Sequence, residues 1–171
     1  MLKTCSLYPE LVLGCGSGKP IAKQLAEKGF SVLGVDRSKS LLQKARENVP
    51  SGIFHLADIE AYDIQPGYNG VVLWDVIFHI PREEHQAILQ KIHESLTPDG
   101  YLVMSSGGSD EELPPFTDFM FGAELFYDAF SPAKLLSLCE KIGYNIRKHV
   151  VVNEPDGKRD RGRIGIVLSR A

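Results

Sequence analysis

At 171 residues the chain can build one domain with a real core and is too short for two ordinary ones. Hydrophobic residues at 43% against 24% charged exclude a disordered chain and fit a soluble globular one. A net charge of −3 excludes the basic surface that a duplex nucleic acid would need, and no apolar stretch is long enough to span a membrane.

In chain order, residues 1–9 lack the apolar run of a signal peptide. Leu11-Val12-Leu13 reads as a buried strand closed by the tight turn Gly14-Cys15-Gly16-Ser17-Gly18. Ile21, Ala22, Leu25 and Ala26 recur at helical spacing, and Gly29 stops that helix. Residues 30–35 form a second strand ending in Asp36. Ser38 is the N-cap of a helix carrying Leu41, Leu42 and Ala45, which ends before Pro50. Residues 53–57 and 70–74 are the third and fourth strands, the latter nearly all apolar, as a central parallel strand is.

Pro81 opens the strongest helix, with Ile88, Leu89, Ile92 and Leu96 in one stripe, and the turn Pro98-Asp99-Gly100 ends it. His85 and His93 read as surface residues of that helix. Residues 101–105 are the fifth strand, and 107–130 read as irregular and aromatic. Ser131-Pro132 starts a last helix with Leu135, Leu138, Cys139 and Ile142, stopped at Gly143. Residues 144–152 and 164–169 make an antiparallel pair around a polar turn. Lys158, Arg159, Arg161 and Arg163 in that turn read as a solvated basic run. Strand–helix alternation predicts one α/β domain over residues 1–171. Its sheet is doubly wound, Rossmann-like, mostly parallel and seven-stranded, with an antiparallel C-terminal pair.

Cys5, Cys15 and Cys139 are odd in number and far apart, so no metal site or disulfide framework is expected and a reducing, cytoplasmic setting is. In such sheets ligands bind beyond the carboxyl ends of the strands. Gly14, Gly16 and Gly18 stand there, and glycines let a ligand approach the backbone closely. A dinucleotide fingerprint would need its third glycine at position 19, where Lys19 stands, which disfavours NAD. Asp36 can accept both hydroxyls of an adenosine ribose, or can cap the following helix. Asp58 can accept from an adenine amino group with Ile59 packed on the ring, or can be an ordinary turn residue.

Read together, these stretches resemble the class I S-adenosylmethionine (SAM)-dependent methyltransferases, in a subgroup acting on small molecules. Leu13-Gly14-Cys15-Gly16-Ser17-Gly18 is similar to the family's cofactor turn. Gly34-Val35-Asp36-Arg37-Ser38 is similar to its ribose-binding strand end, and Ala57-Asp58-Ile59 falls at its adenine contact. The run from Trp74-Asp75 through Phe78-His79-Ile80-Pro81 to His85, and Leu96-Thr97-Pro98-Asp99-Gly100, extend the match. The resemblance implies SAM as cofactor, held by Gly14, Cys15, Gly16, Gly18, Asp36, Arg37, Asp58, Ile59 and Trp74.

Two departures stand out. The family's acidic residue before the first glycine is replaced by Val12, or survives as Glu10 through a slipped strand. About ten residues precede the first strand, where the family carries a covering helix, so a homodimer covering the cleft is expected.

On the acceptor side, Asp75 can orient an acceptor or meet the sulfonium charge, or can simply lead into the helix. His79 can act as a base, or can make a structural hydrogen bond. Phe116, Phe119, Met120, Phe121, Phe126, Tyr127 and Phe130 can line a partly apolar acceptor pocket, with Tyr127 its candidate catalytic member, or can plug the sheet edge. Residues 107–130 are thus expected to be an inserted acceptor cover. Methyl transfer to a small molecule is the function expected. The alternative is a methyltransferase-fold protein that does not methylate: a binding protein, a partner-completed subunit or an enzyme of another reaction class.

Overall fold

A computed structural model describes residues 9–120, 122–156 and 160–171. The apolar runs become the strands β1 (Glu10–Leu13), β2 (Val32–Asp36), β3 (Ile53–Leu56) and β4 (Tyr68–Leu73). β1 pairs in parallel with both β2 and β4, and β3 pairs in parallel with β2. β5 (Leu96–Gly107) lies parallel to β4, with its register broken between Tyr68 and Gly70. Tyr68 faces Leu96 while Gly70 faces Tyr101, so the Pro98-Asp99-Gly100 turn is absorbed as an irregularity within the strand.

The segment after β5 departs from expectation. The sequence of residues 107–130 reads as irregular, yet β6 (Phe116–Met120) and β7 (Ala123–Tyr127) pair there as an antiparallel hairpin outside the main sheet. Phe116-Thr117-Asp118-Phe119-Met120 and Ala123-Glu124-Leu125-Phe126-Tyr127 do not alternate apolar with polar, so no period of two marks these strands in the sequence. β8 (Tyr144–Asn153) and β9 (Arg163–Arg170) close the chain as the antiparallel pair expected.

The seven-stranded sheet runs in the order β3-β2-β1-β4-β5-β9-β8, so strand order reverses at β1. Side chains alternate across it. Val12 points toward helices α1 (Ile21–Glu27) and α2 (Lys39–Asn48), packing with Cys15, Ala22, Leu42, Ala45 and Phe54. Leu11 and Leu13 point to the opposite face, packing with α3 (Arg82–Ser95) and α4 (Pro132–Ile142) through Ile88, Leu89, Ile92 and Leu135. Ser38 caps α2 as expected, its hydroxyl accepting from the Leu41 N–H at 3.3 Å. Cys139 is buried in the core.

The histidines of α3 correct their surface reading. His85 is fully buried, and half-buried His93 meets the Gly143 carbonyl at 3.2 Å. His85 lies on the same stripe as Ile88, Leu89 and Ile92 and is satisfied there by the Ile80 carbonyl, while His93 is met by the C-terminal cap of α4. Cys5, Phe121, Lys158 and Arg159 lie outside the described residues. Among the described residues no helix is long and apolar enough to cross a membrane, and no group of three metal-ligating side chains occurs.

Candidate functional site

The glycine turn sits where β1 ends between β2 and β4. The Gly14 and Cys15 N–H groups both donate to the Val35 carbonyl, at 2.8 and 3.0 Å, and Gly18 N–H donates to the Cys15 carbonyl at 2.9 Å. The Asn48 amide anchors the loop from α2 by donating to the Ser17 carbonyl at 2.9 Å. Gly14 has φ +68°, and a Cβ there would come within 2.2 Å of a Val76 methyl. Gly16 has φ +53° and nothing within 4 Å of its missing side chain, so its outer face is open.

Asp36 is bound into this turn. One carboxylate oxygen accepts from the Gly16 N–H at 2.8 Å and the other from the Ser38 N–H at 2.8 Å. Each oxygen keeps a further lone pair, so the group can still accept from a ligand beside Gly16. Arg37 and Asp58 form an exposed ion pair at 2.9 Å just beyond. Ile59 is in the core, and its loop is pinned from α3 by Lys91, which donates to the Ile59, Glu60 and Tyr62 carbonyls at 2.9–3.1 Å.

Four residues weighed in the sequence for cofactor contact are placed less openly. The Cys15 side chain is buried in the core. Burial, then the neighbouring Asp36 charge, pushes its thiol pKa up to about 12, so only its backbone belongs to the turn. Trp74 packs its ring over Gly165 of β9. Val12 faces the α1–α2 core. Glu10 lies at the opposite end of β1 beside Gly70, roughly 10 Å of strand from the turn, with its pKa raised by burial. The slipped-strand reading of Glu10 is therefore wrong: the register of β1 carries it away from the ligand end.

Beyond the ends of β4 and β5 opens a cavity of about 580 Å³. Asp75, His79 and Tyr127 all line it, together with Phe78, Phe116 and Phe130; Gly16 and Asp36 are not among its lining residues. Asp75 has φ +57°. For a non-glycine residue that conformation is strained and needs surroundings that fix it. Ser105 and Arg163 do so. The Asp75 N–H donates to Ser105 Oγ at 2.7 Å, that hydroxyl donates back to the carboxylate at 2.9 Å, and Arg163 binds the other oxygen at 2.6 Å.

His79 meets the Phe126 carbonyl through Nδ1 at 2.8 Å. Since a carbonyl only accepts, Nδ1 carries the proton and Nε2 is the lone-pair nitrogen of the neutral ring. Tyr127 lies between two near-parallel rings, Phe116 at 5.1 Å and Phe78 at 6.2 Å, and its hydroxyl reaches Met120 Sδ at 3.0 Å. The aromatic segment thus divides: Phe116, Met120, Tyr127 and Phe130 face the cavity while Phe119 is exposed.

Arg163, Phe78 and Asp128, which line this cavity, and buried Ser105, which holds Asp75, have no site role in the sequence reading. Arg163 corrects the solvated-run interpretation: it opens β9 and faces the end of β5, and only the parity of an antiparallel partner could have placed it.

Residues 11–100 match the family model of a methyltransferase domain. A trans-aconitate 2-methyltransferase from Paracidovorax citrulli is 32% identical over 102 residues, covering 58% of this chain and 39% of that protein. A carboxy-S-adenosyl-L-methionine synthase from Glaesserella parasuis is 31% identical over 103 residues, covering 54% of this chain and 42% of the relative. The chain thus spans about two fifths of the length of these curated relatives. A solved SAM-dependent methyltransferase from Methanosarcina mazei superposes with a TM-score of 0.80 at 19% identity, covering 95% of this chain and 92% of that one, a likeness of fold.

Proposed function

The chain belongs to the methyltransferase domain family, and from that premise we propose that it transfers the methyl group of SAM to a small-molecule acceptor. The observation that carries the reading is the junction of Gly16 and Asp36. A turn with an open outer face is hydrogen-bonded to a carboxylate whose remaining lone pairs lie beside it. The residues present suit an adenosyl group: the carboxylate can accept from a ribose diol, and the bare Gly16 backbone admits close approach. When bound, SAM supplies a methyl already activated on a sulfonium, so the protein's task is chiefly alignment.

Gly14, Gly16 and Gly18 shape the backbone of the cofactor side, with Cys15 contributing its main chain. Asp36 accepts from the ribose, and Arg37, Asp58 and Ile59 border the adenine. Asp75, held by Ser105 and Arg163, leads from the glycine turn to the cavity and orients the acceptor or meets positive charge. His79 takes the proton of a hydroxyl or amine acceptor through Nε2. Tyr127 and Phe116 give the acceptor an apolar wall. A small, partly apolar acceptor suits a 580 Å³ cavity walled by these rings, and the trans-aconitate relative adds small carboxylic acids, whose carboxylates need no base, to the hydroxyl and amine acceptors to try. The relative named carboxy-S-adenosyl-L-methionine synthase favours a second reading, an enzyme of another reaction class on the same fold. The open face of Gly16 leaves room for a second copy of the chain to cover the turn.

Calorimetric titration with S-adenosylhomocysteine, with NAD as control and light scattering alongside, tests the cofactor side. Saturable binding of the first ligand alone is expected, and its absence overturns the proposal. Incubation with SAM and a panel of small alcohols, amines and carboxylic acids tests the acceptor side. A methylated acceptor with release of S-adenosylhomocysteine is expected; a product altered on the cofactor itself selects the second reading.

A further inference from the structure

One wall of the acceptor cavity is fixed by two charges to which the proposed chemistry gives no role. Asp128 follows β7 with its side chain 1% exposed, and Arg82 opens α3 with its side chain 21% exposed. One Asp128 oxygen accepts from Arg82 Nε at 2.5 Å and the other from the Arg82 backbone N–H at 2.8 Å. The carboxylate therefore also satisfies an N–H at the start of α3, where the N-cap residue Pro81 has no side chain to do so. The guanidinium donates further to the Leu113 carbonyl at 2.5 Å and lies 6.0 Å from the Phe130 ring centre. One arginine thus ties together the start of α3, the run leading into β6 and the exit of β7.

A buried ion pair is weak support for overall stability, because desolvation offsets the attraction. Its consequence here is positional. The Asp128 N–H donates to the Phe78 carbonyl at 2.8 Å, and two residues earlier the Phe126 carbonyl accepts from His79 Nδ1 at 2.8 Å. The exit of β7 is stitched to residues 77–79 at both points, and the side chain of Asp128 anchors that exit to α3. Displacement of residues 126–128 by about 1 Å would break the Phe126–His79 bond and release the imidazole to either tautomer.

Resting on the methyl-transfer reading, we propose that Arg82 and Asp128 are positioning residues. The pair holds the β6–β7 hairpin closed over the acceptor cavity. Through Phe126 it keeps His79 in the tautomer whose Nε2 takes the acceptor's proton.

The test compares Asp128→Asn, the double variant Arg82→Met/Asp128→Asn, which leaves no unpaired buried charge, and Arg82→Lys, which keeps the cation. Amide hydrogen exchange is followed in residues 116–127 and, separately, in β4 and β5, and the His79 ring nitrogens are observed by NMR. In the first two variants the hairpin amides should exchange about tenfold faster while β4 and β5 stay protected. The His79 signals should shift from a pure Nδ1–H form to a mixture, and Arg82→Lys should recover part of both effects. Unchanged hairpin exchange and tautomer in the double variant would overturn the proposal. Loosening of β4 and β5 together with the hairpin would do so too, since the pair would then merely hold the fold. Failure of the unmodified protein to bind S-adenosylhomocysteine counts against the methyl-transfer reading instead, and the exchange result still decides whether the pair holds the hairpin.

Discussion

Around the end of β1 the decisive atoms belong to the backbone. Val35 receives two N–H groups of the turn, Gly16 presents its own N–H to Asp36, and Gly14 lets Val76 pack where a side chain would stand. Around the end of β4 they belong to side chains far apart in sequence: Asp75 with Arg163, 88 residues on, and Arg82 with Asp128, 46 residues on. The first region depends on local conformation and the second on long-range pairing. A site of the first kind breaks when one dihedral or one Cβ is wrong. A site of the second kind breaks when two distant elements lose register.

The largest expected effect is at Gly14. Alanine there takes on a left-handed conformation costing about 1–3 kcal/mol. Its Cβ also meets the Val76 methyl at 2.2 Å, and such overpacking typically adds about 1–3 kcal/mol. Urea unfolding should show the sum, whereas Gly16→Ala, with open space around it, should show only the first part. Equal losses at the two positions would mean that steric fit to Val76 does not set the turn.

Next is Asp36→Ala, which removes charge-assisted hydrogen bonds worth about 1.5–3 kcal/mol each. The affinity for S-adenosylhomocysteine should fall at least about tenfold by calorimetry, with the circular dichroism of the fold retained. Unchanged affinity would remove the carboxylate from the cofactor side.

A smaller effect comes from His85, buried behind the cavity-lining Phe130. Nε2 donates to the Ile80 carbonyl at 2.8 Å, and the ring packs edge-on against Phe130. Burial lowers its pKa below the ordinary 6.5. The Ile80 and Ile77 backbone bonds and the Asp128 charge oppose that shift, and the Arg82 charge adds to it. The unfolded chain therefore binds this proton more readily. Its contribution to stability is fully present above about pH 6.5 and is lost as the pH falls below that value. Urea midpoints at pH 7.5 and 5.5 should differ more in the natural protein than in His85→Gln. Equal pH slopes would show that the ring protonates without cost.

The smallest effect belongs to Arg37→Ala. Its ion pair with Asp58 is exposed on both sides, and such pairs contribute at most about 1 kcal/mol. Affinity for S-adenosylhomocysteine should change by no more than about fivefold; a larger loss would mean that the guanidinium itself holds the ligand.

The comparison also explains what was legible. The succession of strands and helices along the chain, the turn at 14–18, Asp36 at the end of β2, the Ser38 cap and the antiparallel close all follow from local signals: apolar runs, glycine spacing, a capping hydroxyl. The match to the methyltransferase domain stops at Gly100, before the hairpin, β8 and β9. Asp75 and His79 within that match, and Tyr127 beyond it, could be singled out by residue type and position, but not their partners. The hairpin itself read as irregular because its pairing depends on register rather than composition. His85 shares the stripe of Ile88, Leu89 and Ile92, so periodicity places it on the buried face. It reads as exposed only because an imidazole is a polar residue type, and the Ile80 carbonyl that satisfies it is a tertiary partner.

The sequence by itself determined the doubly wound sheet and the place of the glycine turn at a strand end, because hydrophobic period and glycine conformation act over a few residues. Tertiary structure alone decided that Arg163 neutralises Asp75, that Arg82 grips Asp128 and that Phe126 sets the proton of His79. Each of those contacts requires two elements folded against each other, and ion pairs and hydrogen bonds act only over a few ångströms.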